Sequence, residues 1–220
     1  MSIVLLGSTS GSCTLQEQAV AGTTTLTLPT TSGTVALTSQ LPTAPSAVGQ
    51  VLFSTDGSTY TPTAKIVSGT AVTLTTQTSV DYTSIPSWVK RITVMFTGVS
   101  TNGTSNIIVQ LGTGSTPTYT TSGYLGNCAT DTASTRANMS TGFLLTQGTA
   151  SGQIFNGNVY INFLGSNTWC ENGMLGRSDA VGGGNSAGSV PLAAALTAIR
   201  LTTVNGTDQF DAGTINILYE

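Results

Sequence analysis

The apolar positions of this chain fall in short runs, and the clearest is WVKRITVMFTGV at 88–99. Ile92, Val94 and Phe96 lie on one face of a strand there, with Val89, Met95 and Val99 nearer the other. A strand apolar on both faces belongs in the interior of a sandwich. Asn102-Gly103 is a turn signal, and with NIIVQLG (106–112) after it the pair predicts a hairpin. Further strands are predicted at 71–75, 122–126, 142–146, 153–164, 197–204 and 213–219. Asn156-Gly157, Asn172-Gly173 and Asn205-Gly206 read as turns that separate or flank them. PLAAALTAI (191–199) has helix-like composition but runs straight into RLTTV, which allows one short helical turn at most. DAVGGGNSAGS (179–189) reads as an exposed loop.

The first forty residues are patterned far more thinly. In TTTLTLPTTSGTVAL (23–37), Leu26 and Leu28 alternate with threonine, Pro29 stops the run, and Val35 and Leu37 resume it after Ser32-Gly33. Ordering residues 23–29 costs about 7–14 kcal/mol of backbone entropy. Burying Leu26 and Leu28 returns only about 1.5–3 kcal/mol each. The segment therefore needs partners, and identical copies in a threefold arrangement are the economical source. Leu26, Leu28, Val35 and Leu37 are the expected assembly contacts. Residues 38–50, with Pro42 and Pro45, read as a linker. In QVLFSTDGSTYTPT (50–63), Asp56-Gly57 marks a small hairpin over 51–61. The expected organisation is all-β. An extended Thr-rich segment (1–40) and a linker with a short hairpin stalk (41–65) precede a jelly-roll-like β-sandwich (66–220).

Composition sharpens this reading. Charged residues are only 7% of the 220, against about 25% in ordinary domains, and Thr with Ser fills nearly a third of the chain. β-Branched threonine at low net charge favours strands over disorder. The formal net charge is −3 and there are six basic residues, of which only Lys90 and Arg91 are adjacent, so no phosphate-binding stripe forms and nucleic acid is not an expected partner. No apolar run approaches the length of a membrane span. The start, MSIVLLGSTSG, lacks the charged flank and cleavage site of a signal peptide. The three cysteines, Cys13, Cys128 and Cys170, have no metal-type spacing. They read as buried thiols of a protein made in a reducing cytosol, with a Cys128–Cys170 bridge left open.

GSTSGSCTLQEQAVAGTTTLTLPTTSGTVAL (7–37) resembles the N-terminal segment of tailed-bacteriophage fibre and virion structural proteins. The matching positions are Gly7-Ser8-Thr9-Ser10-Gly11, Thr14-Leu15, Ala21 to Pro29 and Gly33 to Ala36. GQVLFSTDGSTYTPT (49–63) is also similar to segments of such proteins. IPSWVKRITVMFTGVSTNGTS (85–105) and LTTVNGTDQFDAGTINILYE (201–220) look like their C-terminal domain. The resemblance implies a virion fibre or appendage subunit, a homotrimer docking to other virion proteins through 1–40 and meeting the host surface with its tip. It leaves a tail fibre and a head fibre or decoration protein equally open.

The chemistry on offer is sparse. With no histidine, the usual Ser-His-Asp and Cys-His arrangements and imidazole metal ligation are absent. No phosphate-binding loop, calcium loop or cofactor motif occurs, so neither cofactor nor metal is expected. Polysaccharide cleavage needs two carboxylates about 5–10 Å apart. Asp131, Glu171 and Asp179 are the candidates for such convergence, although scattered acids are usually solvated. Glycan binding without cleavage fits better. Tyr119, Tyr124 and Trp169 lie near loop-like segments with Asn127, Asn167 and Asn172, where rings can stack on sugars and amides can bond hydroxyls. For Tyr124 and Trp169 a core or subunit-interface role is the favoured reading. Trp88 reads as structural, and Lys90 and Arg91 as facing solvent or a neighbouring subunit.

Overall fold

The computed structural model describes residues 3–6, 12–15, 50–54, 61–64, 66–130 and 136–220. The chain forms two compact units, Met1–Pro42 and Thr43–Glu220. Every regular element among the described residues is a strand, and all pairing is antiparallel, so the protein is all-β. In the first unit, β1 (Ile3–Leu6) pairs with β2 (Ser12–Leu15). The assembly positions Leu26, Leu28, Val35 and Leu37, with Pro29 and Gly33, lie outside the described residues.

The second unit opens with β3 (Gln50–Phe53) paired to β4 (Thr61–Ala64). A hairpin stands at the expected place, with Phe53 paired to Thr61. Asp56-Gly57, read as its turn, lies outside the described residues. Fourteen further strands follow, β5 (Val67–Ser68), β6 (Val72–Thr73), β7 (Ser79–Tyr82), β8 (Arg91–Thr101), β9 (Ile107–Thr113), β10 (Thr118–Tyr119), β11 (Leu125–Thr130), β12 (Arg136–Asn138), β13 (Phe143–Leu144), β14 (Phe155–Gly165), β15 (Thr168–Arg177), β16 (Gly183–Pro191), β17 (Leu196–Thr203) and β18 (Phe210–Tyr219). They make two sheets. The larger runs β12-β11-β16-β15-β14-β8-β18-β5, with β6 also on β18; the smaller runs β10-β9-β17-β7, with β13 also on β9.

Period-two alternation turns one face of each sheet inward, and the two inner faces share one core. Ile92, Val94, Val159, Ile161, Ile215 and Ile217 come from the large sheet, and Ile107, Val109, Leu111, Ile199 and Leu201 from the small one; all are buried. Each such side chain contributes about 1.5–3 kcal/mol.

Four local expectations are corrected. Met95 lies on the face of β8 opposite Ile92, Val94 and Phe96, as read, but that face is the outer one of the sheet rather than a second apolar face, and Val99 is fully buried on the core side with Phe96. A bulge at Gly98 (φ 65°) shifts the alternation by one residue. Opposite it stands Gly213 (φ 94°), where a Cβ would come 2.6 Å from Val99 Cα. Second, β8 and β9 are not a hairpin. Both edges of β8 are taken by β14 and β18, so Asn102-Gly103 carries the chain across to the other sheet. Asn102 Oδ1 anchors that crossing by accepting from the Gln209 backbone N–H at 2.9 Å. Third, much of the expected loop at 179–189 is β16, an interior strand between β15 and β11. Its glycines serve close approach, and a Cβ on Gly188 would come 2.7 Å from the Leu125 carbonyl oxygen. Fourth, Asn156-Gly157 and Asn172-Gly173 lie inside β14 and β15. The turn between those strands is Ser166-Asn167, both at positive φ (47° and 57°), the type I′ form. PLAAALTAI holds no helical turn; Pro191 ends β16, residues 192–195 make the corner, and residues 196–199 begin β17.

Candidate binding face

Directly opposed residues of antiparallel strands share a face, so the register assigns the outer surface of the large sheet residue by residue. One row runs Asn138, Asn127, Ala187, Asn172, Tyr160, Thr93 and Leu218, from β12 across to β18. The adjacent row runs Arg136, Ala129, Asn185, Met174, Asn158, Met95 and Asn216. On the other side of the first row lie Leu125, Ser189, Cys170, Asn162 and Arg91. Seven asparagines therefore stand on one sheet face. Asn127, Asn138, Asn158, Asn172 and Asn185 are exposed and Asn162 is partly so. Asn216 is the exception in its bonding, since its amide donates to Ser68 Oγ at 3.1 Å and accepts from the Ile217 N–H. Tyr160 sits mid-face and is 39% exposed. The only charges on these rows are Arg136 at one margin and Arg91, paired with Glu220, at the other.

The structure brings some of the expected glycan contacts together and separates others. Asn127 and Asn172 share the first row. Tyr124 does not join them, being 3% exposed, set edge-on against Phe143 and holding the Leu111 N–H on its hydroxyl at 2.9 Å. Burial pushes its phenol up to about 12. Trp169 is likewise 3% exposed and tilted against Phe163, so it is a core residue rather than a platform. Asn167 occupies the β14–β15 turn and lines a shallow recess with Lys90, Phe163 and Trp169. Lys90 Nζ lies 4.3 Å above the Phe163 ring. Tyr119 belongs to the other sheet, where its ring covers Gly112 and lies 4.1 Å from the Arg200 guanidinium carbon. Arg200 in turn grips Asp81 with two hydrogen bonds of 2.7 Å. Burial and the Asp81 charge push the Tyr119 phenol up to about 12. Trp88 packs against the core and tilts on Tyr219, as a structural residue does.

Among the described residues, Glu171 and Asp179 do not form a cleaving pair. Glu171 points inward from β15 and is 3% exposed. Its Oε1 accepts from Ser186 Oγ at 2.6 Å, while Oε2 is buried without a partner. Burial raises this carboxyl to about 7, against the lowering effect of Ser186. Asp179 lies past the end of the same strand, roughly 20 Å or more along the chain path. It accepts from the Ile154 N–H and pairs with Arg177, and these bonds hold it down at about 2. Asp131 lies outside the described residues. Cys128 and Cys170 are both free thiols. They stand on opposite faces of the large sheet, inward and outward, so no bridge joins them. Burial and the neighbouring Glu171 push the Cys128 thiol up to about 12. Among the described residues, no group of three or more His, Cys, Asp or Glu is placed to hold a metal ion, and no helix is long and apolar enough to cross a membrane.

Tyr160, Asn158, Asn162 and Asn185 went unread as site residues. The signal was NVYIN (158–162), whose alternation places Asn158, Tyr160 and Asn162 on one strand face once Asn156-Gly157 is read through rather than as a turn. Compared with family models, curated proteins and solved structures, the chain matches none.

Proposed function

We propose that this protein is a non-catalytic attachment protein, a homotrimeric fibre subunit of a bacteriophage particle. It docks to the virion through residues 1–40 and presents the sandwich to the host surface. One observation carries the attachment reading. The outer face of the large sheet offers unpaired amides to solvent, whereas Glu171 is buried and Asp81, Asp179 and Glu220 are each tied to an arginine. A surface so arranged is suited to holding a polymer rather than transforming it. The virion assignment is supported by the resemblance of residues 7–37, and trimerisation by the thin apolar pattern there, which three copies together can bury. Three tips per fibre and many fibres per particle raise avidity above each weak contact.

Light scattering of the purified chain is expected to give a trimer mass, and a sharp monomer peak would count against the proposal. Deleting residues 1–40 is expected to leave the sandwich folded but absent from particles. Truncated protein still carried on particles would remove the docking role from that segment.

A further inference from the structure

We infer that the amide-rich outer face of the large sheet is a binding site for an uncharged glycan, laid across the strands with a sugar ring stacked on Tyr160. The inference rests on the attachment reading above and gives it a ligand class and a location.

Asparagine is depleted in strands, because its side chain competes for backbone hydrogen bonds and packs poorly on a pleated surface. Yet Asn127, Asn158, Asn162, Asn172 and Asn185 occupy four adjacent interior strands, β11, β16, β15 and β14, on one face only. The other face of the same strands carries Cys128, Val159, Ile161, Leu175 and Val190, as a core demands. The fold does not require the asparagines, and a local rule broken repeatedly on one surface marks function.

Their bonding points the same way. Asn216 is tied to Ser68 and to its own strand, but the side-chain amides of Asn127, Asn158, Asn162, Asn172 and Asn185 have no partner among the described residues. Each leaves two donors and one acceptor oxygen facing outward. Sugar hydroxyls both donate and accept, so they match such a set. Tyr160 supplies the apolar face a pyranose ring stacks on, and it is flanked along its own strand by Asn158 and Asn162 at about 7 Å. The line Asn127, Ala187, Asn172, Tyr160 crosses four strands at a spacing of about 4.8 Å. It therefore spans about 14 Å, room for several sugars, and small Ala187 leaves the path level.

Charge and apolarity select among ligands. An acidic polymer or a nucleic acid needs cations within reach, and here Arg136 stands at one margin while Arg91 is occupied by Glu220. A protein partner needs a continuous apolar centre, whereas Met174 and Leu125 are isolated among amides.

The test measures binding of the full chain to neutral polysaccharides (dextran, mannan, galactan) and acidic ones (alginate, hyaluronan) by affinity electrophoresis and calorimetry, at low and high salt. Adsorption to host cells is measured in parallel. Expected is binding to at least one neutral polymer that salt leaves unchanged. Tyr160→Ala should weaken it about tenfold. Asn158→Thr with Asn172→Thr should abolish it while the melting temperature holds or rises. Val181→Ser, at an exposed turn, should change nothing. Binding confined to acidic polymers, or binding that survives the Tyr160 and double Asn variants, overturns the inference. Dissociation of the oligomer in the Asn variants would assign the face to a second copy and also overturn it. Host adsorption without any polysaccharide binding sinks this site and leaves the attachment reading standing. A folded trimer that adsorbs to no host cell sinks the attachment reading itself.

Discussion

Glu171 is the residue where burial and chemistry conflict most. Its carboxyl is raised to about 7 in the folded chain from an ordinary 4.5. Below 4.5 both states are protonated and the group is neutral to stability. Between 4.5 and 7 the unfolded chain gives up its proton while the folded chain keeps it, so stability falls as pH rises. Above 7 the loss is complete, at about 3 kcal/mol. Glu171→Gln keeps an acceptor for Ser186 and removes the charge. Denaturant titrations should find this variant more stable than wild type above pH 7, the gap closing towards pH 4.5. A gap independent of pH would place the effect in packing instead. Nothing in the sequence marks Glu171 out from the solvated acids, because its burial follows from the parity of β15, which depends on the strand running through Asn172-Gly173.

At the scale of elements, the recurring lesson is that glycine after asparagine has two meanings. Asn205-Gly206 is the expected turn, with Asn205 Oδ1 accepting from the Thr207 and Asp208 N–H groups. Gly173 instead sits mid-strand because Val159 needs the space, and a Cβ there would come 2.7 Å from Val159 Cγ2. Sequence alone does not separate a glycine required by φ from one required by a neighbour on another strand. The same ambiguity made β16 read as a loop and broke the amide face into fragments. Strands whose alternation is apolar, β8, β14, β17 and β18, were legible because burial leaves a period-two mark. A core or interface role was already the favoured reading of Tyr124 and Trp169, whereas only the register turns Tyr160 outward. Gly173→Ala and Gly188→Ala should each destabilise by about 1–3 kcal/mol through overpacking, whereas Gly176→Ala, with open space around it, should be near neutral. Equal effects at all three positions in chemical denaturation would argue against this account of the glycines.

At the scale of the whole molecule, low charge and high threonine content identified the fold class, and the number of strands followed from turn spacing only in part. The division of those strands between two sheets was not legible. It depends on β8 having both edges filled, by β14 and by β18, which lie far away in sequence. Stability is correspondingly concentrated in long-range pairing. A chain ending before Phe210 loses β18 and exposes one edge of β8 with the Ile215 and Ile217 side of the core. It should be unfolded or insoluble by circular dichroism and sedimentation, and a folded, soluble product would show that the sheet tolerates the loss.

That same neighbour relation between β8 and β18 sets a clock on biosynthesis. The strand that fills the second edge of β8 emerges from the ribosome more than a hundred residues after β8 itself, so β8 waits unpaired on that side while they are translated. Until then its edge is open to the β8 of any other nascent chain on the same message. Fidelity of this fold therefore depends on closure of that edge outpacing collision between growing copies, and faster initiation on the message should lower the yield of native protein even as it raises the amount made.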